Sequence, residues 1–556
     1  MLRMPPRAGD RAIELARSLT LTSTAASVLL ARGLGDPAAS SRFLDPRLAD
    51  LTPPGKMKDR AEAIARIARA LRAKERVCVF GDYDADGVTA AALLTDVLRT
   101  LGGDVQTVLA DRFDGGYGLS DPALDRVLAT GASLLLTCDC GSSDHERLER
   151  ARQAGVDAVV IDHHRVPEAA LPALAFLNPH RPECGFAYKG LASVGLALSV
   201  AAGVRAELGV ALDMRTWLDL VAIGTIGDVA PLDGDNRALV RAGLGVLARG
   251  ARPGTRALAM IAGCTVGTPT GEDVSFRLAP RINAPGRLGK PDIALALLLA
   301  KSDEDGKRLA AEIEVACTRR KEVERAVTAE AIEMLADPAL AALPAIVLAR
   351  QGWHPGVVGI VAGRLASRFG KPAIVIALDG SKGRGSARGP AGFSVYDALT
   401  RSRQELLGFG GHHAAAGVEV ATDRVGALRD RFCEACAAAG VPDTRAEFDA
   451  DAVLECGEPP ARVMEDLERF EPCGQANRAP RIAIERAAVI ASREVRGGHL
   501  KLSIDVAGDK LSCFGAEMSH LGPGLGSHVR VVGALKRDTW RGGGAAEMRV
   551  LAIEPA

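Results

Sequence analysis

From Lys56 onward the apolar positions follow two alternating rhythms. MKDRAEAIARIARALRA repeats them every three or four residues, the period of a helix with one buried face, and the RVCVF that follows is a short β-branched and aromatic run typical of a buried strand. The exchange continues with VTAALLTDVLRTLG as helix, SLLLTCD as strand, HERLERARQAG as helix and DAVVID as strand. Such alternation predicts a parallel sheet with helices on both faces. Residues 302–337, SDEDGKRLAAEIEVACTRRKEVERAVTAEAIEMLAD, predict a single long helix with Ser302 and Asp303 as N-caps, acids in its first turn and Pro338 just past its end. At a 1.5 Å rise per residue it would reach about 50 Å, the length of a linker between lobes. A second alternating unit follows, AIVLAR, VVGIVAGRLASRFG and AIVIAL, and then the Gly-rich stretch DGSKGRGSARGPAG, read as a loop. Beyond about residue 447 the short runs RIAIERAAVI, HLKLSIDVAG, KLSCFG and HVRVVGAL predict a small β-barrel. The expected division is therefore an N-terminal segment 1–55 with no assigned chemistry, an αβ lobe 56–301, the helix 302–337, a second αβ lobe 338–445 and a barrel 446–556.

Length and composition agree with several packed domains. A chain of 556 residues is too long for one core, and 47% hydrophobic with 25% charged residues is ordinary globular composition that argues against extensive disorder. Lys plus Arg equals Asp plus Glu at 69 each, so any nucleic-acid surface must be local. Aromatics at 4% limit the supply of stacking platforms and make each exposed ring more informative. MLRMPPRAGD lacks an apolar signal core, and the longest apolar run, LASVGLALSVAAGV, stops at Arg205, too early to cross a bilayer. Eleven cysteines, an odd number, read as reduced thiols. The expectation is a cytoplasmic protein with no membrane partner. Cys433 and Cys436 form a C-x-x-C inside an amphipathic helical pattern with no second pair, which favours buried thiols over zinc.

The chemistry lies where the predicted strands end. Ligands of open parallel sheets bind beyond the carboxyl ends of the strands. Here RVCVF runs into Asp82, Asp84 and Asp86, SLLLTC into Asp139, and AVVI into Asp162, His163 and His164. The D-x-D-x-D-G spacing also fits the opening of a calcium loop, but the twelfth position holds Leu93 instead of a bidentate Glu, and a strand precedes it where an EF-hand has a helix. Carboxylates and imidazoles on adjacent strand ends are the ligand types of Mn²⁺ or Mg²⁺ in phosphoryl chemistry. Asp84, Asp86, Asp139, His163 and Asp228, the last in LVAIGTIGDVAPL, supply enough groups for two ions. Any one of these acids alone would read as a helix cap. The set does not.

These motifs resemble those of a known group. D-Y-D-A-D-G, D-C-G, D-H-H and G-T-I-G-D-V-A-P-L, in that order, resemble the four motifs of the DHH phosphoesterase superfamily, and APRINAPGRLG at 279–289 extends the match to its bacterial single-strand-specific exonucleases. The resemblance runs from about Gly81 to the C-terminus. It implies an α/β fold of two lobes, a DHH domain and a smaller DHH-associated domain, joined by the long helix and followed by an oligonucleotide-binding (OB-fold) barrel. Two Mn²⁺ or Mg²⁺ ions are implied on Asp84, Asp86, Asp139, His163 and Asp228, with Asp139 bridging. Asp82 is implied as the group that replaces a histidine which small-substrate members place where this chain has Phe80. His164 is the candidate phosphate contact or general acid. Arg281 and Asn283, with Arg287, are associated with substrate and domain packing; capping and salt bridges are the alternative for them. GRGSARG and FGGHHAAAG resemble the family's phosphate-binding loops and nominate Ser386, Arg388 and His412, with Gly389 standing where a Ser is usual. EPCGQANRAP introduces the barrel and departs from the family spelling at Cys473, Ala476 and Arg478. Lys501, Arg530, Lys536, Arg537 and Arg541 are candidates for a groove along the sugar-phosphate chain, with Phe514 or Trp540 stacking on bases.

The implied activity is 5′ to 3′ hydrolysis of single-stranded DNA to mononucleotides in repair and recombination, alongside a single-strand-binding protein and a helicase. Two other readings remain at this level: a small-substrate phosphoesterase, and a non-catalytic DHH relative that binds without cutting.

Overall fold

Five strands of the first lobe, β1 (Arg76–Gly81), β2 (Asp104–Leu109), β3 (Leu134–Cys138), β4 (Asp157–Ile161) and β5 (Ala175–Leu177), form a wholly parallel sheet in the order β2-β1-β3-β4-β5. The computed structural model describes residues 2–264, 267–441, 448–538 and 544–556. The chain leaves β1 for β2 on one side and returns to β3 on the other, so the carboxyl ends of β1 and β3 flank the point where the winding reverses. Clefts open at such points. The helix Ala85–Thr100, buried along its length from Ala85 to Leu98, packs beneath them. Strands β2 and β5 are not expected from the hydrophobic pattern. The first is an edge strand whose half-exposed residues break a continuous apolar run, and the second has only three residues. The apolar run before Asp228 is a helix, Leu218–Gly227, buried from Leu218 to Ile226. A fully apolar segment carries no period from which to choose between helix and strand.

The connecting helix runs from Asp303 to Met334, with the Ser302 side chain accepting from the Asp305 N–H, and it stops a few residues before the expected end. Its first half packs on the first lobe, with Leu309, Ala310 and Ile313 in that lobe's core, while Val327 and Ala331 lie in the core of the second. The second lobe is a mixed sheet, β6 (Ile346–Gln351), β7 (Ala373–Asp379), β8 (Lys382–Arg388), β9 (Gly408–His412) and β10 (Ala415–Ala421), ordered β9-β10-β8-β7-β6. The glycine-rich stretch read as a loop is strand β8, and FGGHHAAAG is the β9–β10 hairpin. Glycine serves packing here: a Cβ on Gly383 or on Gly385 would sit 2.7 Å from Ile376 on the neighbouring strand.

Strands β11 (Ile482–Val495), β12 (His499–Val506), β13 (Asp509–Gly515), β14 (His528–Arg537) and β15 (Ala546–Pro555) form a barrel in the order β11-β12-β13-β15-β14, closed by β11 against β14. The N-terminal segment completes this domain from the far end of the chain. Leu2–Arg3 pairs with Phe448–Asp449, and Leu15, Leu29 and Leu44 share a core with Phe470, Ile484 and Val531. In the turn before β11, Gly474 and Asn477 exchange backbone hydrogen bonds of 2.8 and 3.2 Å, and Ala476 holds a left-handed φ of 59°. The turn thus survives the departures at Cys473, Ala476 and Arg478. All eleven cysteines are free, with Cys433 and Cys436 buried in the helix Val425–Ala439.

A single arginine ties lobe to barrel. Arg237, buried on the helix Gly234–Arg249, donates to the carbonyls of Phe43 (2.8 Å), Arg469 (3.2 Å), Phe470 (2.9 Å), Glu471 (3.1 Å) and Pro472 (3.2 Å). Burial away from solvent pushes its pKa down to about 10. Arg237→Ala leaves those carbonyls without donors and should cost about 3 kcal/mol. Differential scanning calorimetry should show the barrel melting apart from the lobes in the variant; an unchanged profile would show that the carbonyls find other partners.

Candidate active site

The carboxyl ends of β1, β3 and β4 bring four acids and two histidines together, and Asp228 joins them from the end of the helix Leu218–Gly227. One oxygen of Asp84 caps the helix Ala85–Thr100, accepting from the N–H groups of Asp86 (3.0 Å) and Gly87 (3.2 Å). Asp86, inside that helix, accepts from the N–H groups of Ser193 (2.7 Å) and Val194 (2.9 Å) at the start of a facing helix. Asp139 leaves β3 with a left-handed φ of 63°, tolerable for Asp, and receives the Ser193 hydroxyl at 3.2 Å. Asp82 is fully buried and its Oδ1 has no hydrogen-bond partner.

Burial, and next the charge of neighbouring Asp84, raises the pKa of Asp82 and Asp139 well above the carboxylate range, and that of Asp86 to about 7. Burial together with Asp86 and Asp84 raises Asp228 to about 9. His163 moves the other way. Burial and the charge on His164 lower it to about 4, so its ring is neutral at ordinary pH. Its buried Nε2 has no hydrogen-bond partner and faces carboxylate oxygens of Asp139 at 3.2 Å, Asp228 at 3.6 Å and Asp86 at 3.9 Å. A lone pair directed at carboxylate oxygens repels them unless a cation lies between. The donor set, hard oxygens plus one imidazole in two overlapping groups, Asp82/Asp84/Asp139 and Asp86/His163/Asp228, fits two divalent cations of the Mn²⁺ or Mg²⁺ kind.

His164 is held differently. Burial opposes its protonation, but its hydrogen bond to Asp162 (2.8 Å) prevails and raises its pKa to about 9, while Asp162 is driven far down. Tyr117 Oη lies 3.0 Å from His164 Nδ1 and donates to the Asp139 carbonyl at 2.9 Å. From the second lobe, His412 stacks against His164 with centroids 5.9 Å apart, so both lobes border one cleft of about 1100 Å³ that also reaches Arg165, His180 and Asp228.

A second cluster is basic. Arg388 Nη1 donates to Ser386 Oγ at 2.6 Å, and the first turn of the helix Val358–Phe369 lies against both, since a Cβ on Gly359 would be 3.1 Å from each side chain. Arg287, buried, has its pKa lowered to about 10 by desolvation and by the charges of Arg112, Arg320 and Arg388. Arg112 stacks over Tyr83 at 4.2 Å with its Nε buried and unpartnered, and the Asn283 Oδ1 is likewise buried without a partner. Several guanidiniums with no carboxylate among them, beside a helix N-terminus, form an anion site. Arg281 sits elsewhere: its nitrogens engage Glu314 (2.6 and 3.2 Å) and the Arg277 carbonyl (2.8 Å), fastening its helix to the connecting helix. Gly389 leaves no space for the usual serine, because a Cβ there would lie 2.9 Å from the Phe393 carbonyl.

Comparison with known proteins covers the same three bodies. Residues 76–225 match the DHH family N-terminal domain, 342–438 the DHHA1 domain and 450–552 the RecJ OB domain. The chain is 36% identical over 544 residues to the single-stranded-DNA-specific exonuclease RecJ of Bacillus subtilis, covering 96% of this chain and 68% of that protein. The chain belongs to the RecJ family. RecJ of Thermus thermophilus is 34% identical over 551 residues, covering 99% of this chain and 78% of that one. The crystal structure of a Thermus thermophilus RecJ with Mn²⁺ superposes with a TM-score of 0.84 at 31% identity, over 100% of this chain and 79% of its own. Against these RecJ relatives, the chemistry that sequence reasoning missed is Arg112 and Tyr117. Both lie in DRFDGGYG, a loop after the unexpected strand β2, where no motif or hydrophobic period singles them out.

The raised carboxyls have a thermodynamic consequence. Between about pH 4 and the values near 7 and 9 of Asp86 and Asp228, the folded metal-free protein binds more protons than the unfolded chain, so its stability falls as pH rises through that window. Divalent metal competes with those protons. The Mn²⁺-induced rise in Tm should therefore grow from pH 5.5 to pH 8.5, and Asp228→Asn should raise the metal-free Tm at pH 8.5 while abolishing most of the Mn²⁺ response. A response equal at both pH values would contradict the crowding of ionisable carboxyls.

Proposed function

We propose that this chain is a metal-dependent exonuclease that degrades single-stranded DNA from 5′ to 3′, releasing 5′-mononucleotides in DNA repair and recombination. One observation carries the reading: a carboxylate–imidazole centre fit for two divalent ions lies in the cleft between two lobes that also hold a buried arginine recess. The relatives named single-stranded-DNA-specific exonucleases support it, as do RecJ structures solved with Mn²⁺ and with Mg²⁺.

In this reading Asp84, Asp86, Asp139, His163 and Asp228 hold the two ions, Asp139 bridges them and Asp82 completes the first site. The bound ions lower the pKa of water and neutralise charge developing on the phosphoryl oxygens. The remaining work belongs to side chains. Ser386, Arg388, Arg287 and Arg112 grip the 5′-terminal phosphate, leaving the next phosphate at the carboxylate centre, so cleavage of its P–O3′ bond releases one nucleotide and leaves a new 5′-phosphate for the recess. Asn283 orients the terminal nucleotide. His164, fixed by Asp162 and Tyr117, meets the scissile phosphate and is placed to protonate the departing 3′ oxygen, and His412 closes over it from the second lobe.

Where Phe113 meets His354, with centroids 5.5 Å apart, the lobes touch, and a narrow passage there favours one strand over a duplex. A helicase and a single-strand-binding protein are the expected cooperating partners, in the cytoplasm. None of the described helices is long and apolar enough to cross a membrane. The full set of acids counts against a non-catalytic relative, and the barrel and long connecting helix count against a small-substrate phosphoesterase.

The test is degradation of end-labelled single-stranded and duplex DNA with Mn²⁺ and then with chelator. Single strands should disappear only with metal, and duplex should persist. Asp139→Ala should lower hydrolysis by at least about a thousandfold while DNA binding is retained. Arg388→Ala should erase any preference for a 5′-phosphate over a 5′-hydroxyl end. Equal rates of the two DNA forms, or cleavage by Asp139→Ala, would sink the reading.

A further inference from the structure

The outer face of the barrel carries one continuous cross-strand row. Arg493 on β11 lies opposite Lys501 on β12, Lys501 opposite Phe514 on β13, and Phe514 opposite Arg549 on β15. Residues paired in register share a face, and their neighbours Leu500, Leu502, Cys513 and Met548 are buried inside, so the row looks outward. Its charges are not arranged for the barrel's own stability. Arg493 directly opposite Lys501 is a like-charge pair, which is destabilising, and Arg493 has no ion-pair partner among the described residues. Lys501 and Arg549 converge on the same carboxylate, Glu547. Between them the half-buried Phe514 ring is flanked by His499 (centroids 5.4 Å) and by the Arg549 guanidinium at 5.0 Å.

The row continues toward the first lobe. Lys536 on β14, on the same outer face, pairs with Glu272. Four residues on in the same helical segment comes Phe276, 76% exposed, on a π-helical turn whose Val274 and Leu278 are fully buried. Positions four apart share a helix face, so Phe276 stands beside the Glu272–Lys536 contact at the seam of lobe and barrel. In a chain poor in aromatics, a large ring held on an anchored turn and left in water, next to a basic row with its own aromatic centre, matches the chemistry of a single-stranded polynucleotide: a ring for each base face and cations for the phosphates between them.

We propose that Phe276 and the Arg493–Lys501–Phe514–Arg549 row form one continuous track for single-stranded DNA across the lobe–barrel seam, gripping the strand on the 3′ side of the scissile bond. The proposal rests on the exonuclease reading and adds a length-dependent grip that the cleft does not supply. Of the other barrel cations expected on such a groove, Arg530 and Arg537 are engaged with Glu554 and Glu468, and Arg541, like Trp540, lies outside the described residues.

Steady-state hydrolysis by the full chain tests this on 5′-phosphorylated oligonucleotides of about 30 and about 4 nucleotides. Phe276→Ala and Arg493→Glu should each raise KM on the long substrate about tenfold, leaving kcat and all short-substrate constants unchanged. Arg493→Ala should also reduce the slope of log KM against log salt by about one phosphate contact. Phe276→Trp should restore KM and show fluorescence quenching on binding the long strand. If the wild-type protein degrades single-stranded DNA and both variants match it on the long substrate, the track is refuted and the face serves a protein partner. If the wild type leaves single-stranded DNA intact, the exonuclease reading itself has failed.

Discussion

Mutual repulsion among buried carboxylates is the constraint around which this molecule is built. Asp82, Asp86 and Asp139 are almost wholly withdrawn from water, with Asp84 and Asp228 beside them, and each raises the cost of ionising the others. Left to relax, such a cluster would swing apart or take up protons. It persists because the backbone leaves little freedom: β1 and β3 are locked in register at the middle of a sheet, and the amides of Ser193 and Val194 hold both oxygens of Asp86. The fold supplies the rigidity that a pair of divalent cations then exploits.

Next to this negative centre stands its electrostatic opposite. Arg287, Arg388 and Arg112 crowd one another as the acids do, and Arg287 accordingly loses some of its basicity. Two like-charged clusters of opposite sign, one awaiting cations and the other an anion, are stable together only when the ligand brings both. A polyanionic strand that arrives with metal ions is such a ligand, and its repeating phosphates let one group occupy the recess while the next reaches the acids.

Long-range packing makes three bodies act as one. The connecting helix belongs to both lobe cores, so the lobes are joined by a strut with buried side chains at each end and the distance between them is held. Arg237 fastens the first lobe to the barrel through five carbonyl oxygens, and the first forty-odd residues fill the barrel core beside strands that follow them by more than four hundred positions. The polynucleotide surfaces therefore keep a fixed relation to the centre that cuts.

The metal centre was legible in the chain because its chemistry is local at each piece: strand-like runs ending on Asp84, Asp139 and His163 announce themselves through β-branched patterning and the acid just beyond. The long helix and the barrel were legible through their periods. Asp228 could be named but not placed, since a uniformly apolar run has no period to separate helix from strand. Strand β8 was hidden for the reason that makes it useful, glycines that admit close approach and also look like a loop. Arg112, Tyr117 and the union of the N-terminal segment with the barrel had no signature in the sequence, because each depends on which surfaces meet after folding: Arg112 matters through Arg287 and Arg388, and Tyr117 through His164. Local patterning dictates elements and the acids at their ends; contacts between residues hundreds of positions apart arise only when burial of the separate cores brings those ends to one cleft.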